Sequence, residues 1–325
     1  MTLSVGNLDA KKGEKKTGYL HVGETSLSDV VMPVTVINGA KSGQTLAMTA
    51  GFHPREYASI ESLTRLSNLI DPATIKGSAI IVHIVNTPGF EVRGRKCPID
   101  DAHPINSFPG NPNGGISQRI AHTIANEVLS QSDYYIDHHC NDVQWVGPSN
   151  VIYNRTGNDD VDPKSEAMAR CFKTKYLRES KVRDYSSALG YATNEGIPSI
   201  LTEVGSMMGV SSMTGFFEED KIGWNIEGVD NLMKLIGMID GTPYQSKEKP
   251  ITNIVYLKAK HSGILFPLVE ADDYVSKCQA VAEIRDPFGN QKEVIISPVD
   301  GIVSLMTSYR AVKQGLSVIQ LYDIP

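Results

Sequence analysis

The sequence lacks the marks of several protein classes. No apolar run approaches the roughly 20 residues that span a bilayer, so no membrane segment is expected. The start, Met1-Thr2-Leu3-Ser4-Val5-Gly6, has no apolar signal core, and a cytoplasmic location is expected. Basic residues are in deficit. The 31 Lys and Arg against 37 Asp and Glu give a net charge of −6, which leaves no electrostatic footprint for nucleic acid. The basic cluster Lys11-Lys12-Gly13-Glu14-Lys15-Lys16 is short, broken by an acid, and reads as a solvated surface stretch. Cys97, Cys140, Cys171 and Cys278 form no C-x-x-C pair. Neither a zinc knuckle nor a thioredoxin-type site is indicated, and four reduced thiols are expected.

What is present is the composition of a globular chain: 325 residues, 41% of them hydrophobic. Tyr19–Val22 and Val31–Val36 are rich in β-branched residues and read as strands. Strands and helices then alternate. Strands are expected at Thr45–Thr49, Ala79–Val85, Tyr134–His139, Val151–Tyr153 and Ser199–Val204, the last ending in Gly205-Ser206. Helices are expected at Ser117–Leu129, 163–178 and Asp220–Ile239, with a long loop over 86–115. Such alternation predicts an α/β fold with a mixed, mostly parallel central sheet covered by helices. After Gly241-Thr242-Pro243 the pattern changes to short β segments with turn punctuation. The division predicted is a catalytic α/β domain over 1–245 and a smaller all-β module over 246–325.

The most informative segment is His53-Pro54-Arg55-Glu56, entered through Gly51-Phe52. Apolar residues Ile60, Leu63, Leu66, Leu69 and Ile70 follow at helical spacing. The pair is expected at a strand-to-helix corner, with imidazole and carboxylate on one helix face. Zinc accepts this ligand mix, with a third protein ligand and an open position. An ordinary helix start, Pro54 near its first position, accounts for the same residues. Further pieces tip the balance. Asp137-His138-His139 ends a strand whose neighbours face opposite sides, so one histidine reaches the cation and the other packs elsewhere. Asp137 shares a face with His139 and can orient it. Cys140, as the next residue, is expected to point away. Glu203 interrupts an apolar strand, where a carboxylate is costly unless paired or used. Arg93 and Arg95 lie in the long loop; an arginine there binds an oxyanion or a carboxylate, although Arg93 reads better as a surface residue.

The order Gly-x-His-x-x-Glu, Arg, Asn-x-Phe-Pro-Gly, Asp-x-His and Thr-Glu-Val-Gly resembles the succinylglutamate desuccinylase/aspartoacylase family, a branch of the zinc carboxypeptidase superfamily. The resemblance covers most of residues 45–325. It implies one Zn²⁺ per chain held by His53, Glu56 and His139, Glu203 as general base, Arg95 as the carbonyl-polarising arginine, and Asn106 as a substrate-binding residue. One position departs: the family's carboxylate-gripping arginine after the asparagine is Ser107 here, and a hydroxyl does not replace a guanidinium. Arg93 or Arg155 is the nearest substitute by sequence; alternatively the substrate carries no carboxylate at that point. The terminal module resembles a biotinyl/lipoyl-like sandwich without the Met-Lys-Met hairpin, its tip reading Asp286-Pro287-Phe288-Gly289-Asn290. No attached cofactor is expected; the module shields the mouth of the site or builds a homo-oligomer contact.

The implied activity is zinc-dependent hydrolysis of the amide of a small N-acylated amino acid or amine. A carboxypeptidase shares the chemistry, and a metal-binding protein without activity shares the ligands. Ser107 argues against the first, and retention of Glu203 with Arg95 against the second.

Overall fold

The computed structural model describes residues 2–181, 185–205, 209 and 215–324. Eight strands form a central sheet. In spatial order they are Tyr176–Lys181, Asn150–Arg155, Ser199–Glu203, Tyr134–His139, Lys41–Ala50, Lys76–Val82, Asp29–Asn38 and Glu14–Glu24. The middle four run parallel. Two antiparallel strands extend one side. On the other side Asn150–Arg155 runs antiparallel to Ser199–Glu203, and Tyr176–Lys181 lies parallel to Asn150–Arg155. The sheet is mixed, as the alternating pattern predicts.

Two-residue alternation sorts the strand side chains. Leu46, Met48, Ala50, Ile81 and Ile136 face one side, where Leu63, Leu66, Val229 and Leu232 of helices Tyr57–Leu69 and Glu219–Leu235 cover them. Ala47, Ile80, Val82 and Tyr135 face the other, against Ile116, Ile120, Ala188 and Ala192 of helices Ile116–Thr123 and Ala188–Asn194. Each large aliphatic side chain so buried contributes about 1.5–3 kcal/mol.

Several boundaries depart from the sequence reading. The helix expected over 163–178 spans only Asp162–Ala169, and Tyr176–Lys181 is an edge strand instead. Tyr176 and Leu177 are buried there, Leu177 in the core that also holds Tyr153. Helix Ala188–Asn194 was not anticipated; Ser187 caps it by accepting from the Gly190 N–H. The helix expected at Ser117–Leu129 starts at Ile116, is α-helical to Thr123, then widens into a π turn over Ile124–Val128. The 86–115 loop contains helix Thr87–Glu91 and the turn Pro104–Asn106. The end expected at Gly205-Ser206 lies partly outside the described residues, at Ser206.

Beyond residue 250 all regular elements are strands, in two sheets. One holds Ile254–Lys258, Ser317–Asp323, Gly301–Thr307 and Tyr274–Val275; the other Gln291–Ile296, Ala280–Arg285, Gly263–Pro267 and Ala311–Val312. Leu265, Val281, Ile284, Val303, Ile319 and Leu321 form the core of these strands. Trp145–Val146, from the segment after the Tyr134–His139 strand, joins the first sheet by pairing with Gly301–Thr307. Lys175 and Tyr176 add hydrogen bonds to Asp272. Among the described residues no helix is long and apolar enough to cross a membrane.

Candidate active site

Three parallel neighbours in the sheet end at the same place. Lys41–Ala50 delivers His53 and Glu56, Tyr134–His139 delivers His139, and Ser199–Glu203 delivers Glu203. The carboxyl ends of adjacent parallel strands are where an open α/β sheet exposes polar chemistry. The chain leaves the first strand at Gly51, whose φ of +73° suits glycine. The helix begins only at Tyr57. His53 and Glu56 therefore sit in the turn before it, not on a helix face as expected, and Pro54 is not its first residue. The turn closes with Glu56 N–H donating to His53 O at 3.1 Å.

Glu56 bridges the two histidines. His53 Nδ1 lies 2.9 Å from its Oε1, and His139 Nδ1 lies 2.7 Å from its Oε2. The opposite ring atom, His139 Nε2, lies 3.2 Å from Asp137 Oδ2, and Thr49 donates to Asp137 Oδ1 at 2.9 Å. One ligand atom from each of His53, Glu56 and His139 falls within 4.8 Å of the others. His138 points to the far side, where Thr202 Oγ1 is 3.3 Å from its Nδ1. Burial lowers its pKa to about 4, so it is a neutral packing residue.

Charge follows from this packing. Burial pushes the Glu56 carboxyl up, but His139 and His53 outweigh it and hold it at about 2. Burial keeps His53 neutral. Burial also opposes charge on His139, yet the Asp137 and Glu56 carboxylates raise its pKa well above the usual range. Two buried carboxylates thus demand positive charge between them. A divalent cation meets that demand and frees the imidazole of its proton. The two-nitrogen, one-carboxylate donor set with a carboxylate behind one histidine fits zinc.

A cavity of about 160 Å³ opens beside the cluster. His53, Glu56, Arg95, Cys140 and Glu203 line it, with Asn150, Ile152 and Arg178 from the sheet and Ser304, Leu305, Gln320 and Tyr322 from the C-terminal strands. Glu203 Oε2 is buried without a hydrogen-bond partner. Burial, reinforced by the charge of Glu56, raises its pKa to about 7. Arg95 Nη1 and Arg55 Nη2 both donate to the buried Asp142 Oδ2, at 2.6 and 2.9 Å. The Cys140 side chain turns from the cluster as expected, packing against Ala58 and Ile222, while its backbone N–H reaches Glu56 Oε2 at 3.3 Å. Burial, with Glu56 and Glu203 nearby, pushes its thiol far up, so it is no thiolate nucleophile.

Four other expectations fall outside the cavity. Asn106 is exposed at the end of the Pro104–Asn106 turn. Ser107 is tied into that turn by donating to His103 O at 3.0 Å. Arg93 is exposed, and Arg155 pairs with Glu179 at 2.6 Å. Neither replaces a carboxylate-binding arginine at the cavity. The sequence reading missed Asp142, Arg178, Gln320 and Tyr322; only the alternation in Tyr176-Leu177-Arg178 hinted at any of them.

The catalytic-domain pattern of the succinylglutamate desuccinylase/aspartoacylase family matches residues 42–236. The chain belongs to this family. The N-alpha-acetyl-L-2,4-diaminobutyric acid deacetylase of Halomonas elongata is 26% identical to it over 276 residues, covering 81% of this chain and 76% of that one. The fold is shared with a family protein from Rhodobacter sphaeroides at 21% identity, TM-score 0.86 and 98% coverage of both chains. It is shared as well with the product-bound ectoine utilization protein EutE (DoeB) of Ruegeria pomeroyi, at 20% identity, TM-score 0.85 and 95% coverage of both.

Proposed function

We propose that this protein is a zinc-dependent deacylase that hydrolyses the amide of a small N-acylated amino acid or amine, releasing a carboxylate and a free amine. The observation that carries the reading is an unpaired buried carboxyl, Glu203, in the same cavity as the His53, Glu56 and His139 cluster. A merely structural metal site needs no such group. Zinc held by these three side chains would supply Lewis acidity and acidify a water to a pKa of about 7. Glu203 takes the proton of the attacking water and returns it to the leaving amine; a pKa of about 7 suits both transfers. Arg95, anchored to Asp142 through Nη1 and lining the cavity, would stabilise the developing oxyanion. Asp137 holds the His139 ring in orientation.

The small cavity, about 160 Å³ and walled on one side by the C-terminal strands, supports a small substrate over a peptide chain. The deacetylase of Halomonas elongata, whose name specifies an Nα-acetyl amino acid, supports the same class. We read residues 1–245 as the catalytic part and 246–325 as a biotinyl/lipoyl-like module that narrows the site. The exposed turn Asp286–Asn290 carries no lysine for cofactor attachment. The test is amine release from a panel of N-acyl amino acids and blocked dipeptides by zinc-loaded protein. Turnover of the N-acyl amino acids, lost on chelation and restored by zinc, is expected. Zinc binding without hydrolysis of any of them overturns the reading.

A further inference from the structure

Ser107 leaves open what holds the far end of the substrate, and the cavity answers from another part of the chain. Arg178 lies on the edge strand Tyr176–Lys181, opposite Ile152 in register, with Ile152 in turn opposite Leu201. Leu201 and Glu203 are two residues apart, so Arg178, Ile152 and Glu203 share one sheet face. Arg178 stands two strand spacings from Glu203's strand, about 10 Å.

The arginines around the cavity differ in their partners. Arg55 and Arg95 are both bound to Asp142. Among the described residues Arg178 has no ion pair, and its Nε is buried without a hydrogen-bond partner. A guanidinium N–H left without a partner in a cavity wall is costly unless a ligand joins it. The surroundings repeat the pattern: Asn150 Oδ1 and Ser304 Oγ, which line the same cavity, are buried and unpartnered too. Gln320 and Tyr322 approach from the Ser317–Asp323 strand. Buried polar groups left unpaired together mark a place where a ligand supplies the partners.

We propose that Arg178 binds a carboxylate on the amine half of the substrate, in a polar subsite completed by Asn150 from the sheet and Ser304, Gln320 and Tyr322 from the C-terminal strands. The inference rests on the deacylase reading and sharpens it: the substrates are N-acyl amino acids, not simple N-acyl amines. Arg178 then does, from an edge strand, the work that the position of Ser107 does elsewhere in the family. The C-terminal strands contribute directly to substrate recognition.

The experiment compares wild type, Arg178→Gln and Arg178→Ala, all zinc-loaded, on Nα-acetyl amino acids and on the same compounds with the carboxylate converted to the amide. Wild type is expected to prefer the carboxylates. Both variants should lose about 10- to 100-fold in kcat/KM on them, the range for a lost charge-assisted hydrogen bond. The loss should fall on KM, with kcat and activity on the amides little changed. An Arg178→Gln variant that keeps the wild-type preference overturns the subsite and leaves the deacylase reading intact. Calorimetric binding of Nα-acetyl amino acids to Glu203→Gln and to Glu203→Gln/Arg178→Gln decides the subsite without turnover. Carboxylate-dependent binding that vanishes with Arg178 supports it, even if the wild type hydrolyses nothing. Binding indifferent to the carboxylate overturns it. Zinc content and melting temperature near wild type confirm that each variant is folded.

Discussion

Asp137 Oδ2 lies 3.2 Å from His139 Nε2, so the ring turns its Nδ1 toward Glu56. A carboxylate behind a ligating histidine fixes the ring and raises its basicity. Asp137→Asn is expected to weaken zinc affinity by about 10- to 100-fold, measured by competition with a chromophoric chelator. Unchanged affinity would show that the ring is held by packing alone.

The two adjacent histidines should separate cleanly. His139→Ala is expected to lower bound zinc well below one per chain. His138→Ala should keep its zinc and lose about 1–3 kcal/mol of stability through the hole and the orphaned Thr202 hydroxyl. Metal analysis and thermal melting of both variants make the check.

Glu203 gives a pH signature of definite sign. As a base it must be ionised, so kcat/KM should rise with pH and level off at or below about pH 7, a bound dication favouring the ionised form. Glu203→Gln should abolish turnover with zinc still bound. Stability of the metal-free protein runs the other way. The folded-state pKa of about 7 exceeds the ordinary 4.5, so the folded chain holds the proton more tightly. The group's favourable contribution is complete below about pH 4.5 and lost as pH rises toward 7. Glu203→Gln should therefore melt higher than wild type at pH 8, and the difference should shrink at pH 5.

Asp142 anchors Arg95 and Arg55 together. Arg95→Ala is expected to lower kcat by about 100-fold or more, the usual loss for an oxyanion donor. Asp142→Asn should lower kcat less and leave zinc content unchanged, because it disturbs Arg95 without touching a ligand. Steady-state kinetics at saturating zinc distinguishes the two.

The cluster of His53, Glu56 and His139 was legible because its residues lie close to recognisable strand ends. Gly51 and the apolar period after Glu56 place the corner, and Asp137-His138-His139 closes an apolar strand. Arg178 was hidden by a plain physical cause. Its strand pairs on one side with Asn150–Arg155 and on the other meets only an isolated bridge to Ile251. Such an edge needs few apolar residues, and Tyr176-Leu177-Arg178-Glu179-Ser180-Lys181 reads as easily as a helix end. Ser304, Gln320 and Tyr322 reach the cavity through the packing of remote strands, which no local pattern records. Asn106 shows the reverse: a recognisable motif placed on an exposed turn.

The two-residue strand Trp145–Val146 ties the loop after the His139 strand to the C-terminal sheet, so cutting the chain after residue 245 is expected to disturb its chemistry. Removing the last 80 residues would strip away the partner that pins the loop carrying Asn141 and Asp142. Arg95 would lose its mooring, and the pocket would stand open to bulk water. A shortened form is thus expected to fail as an enzyme, even where the larger sheet still assembles.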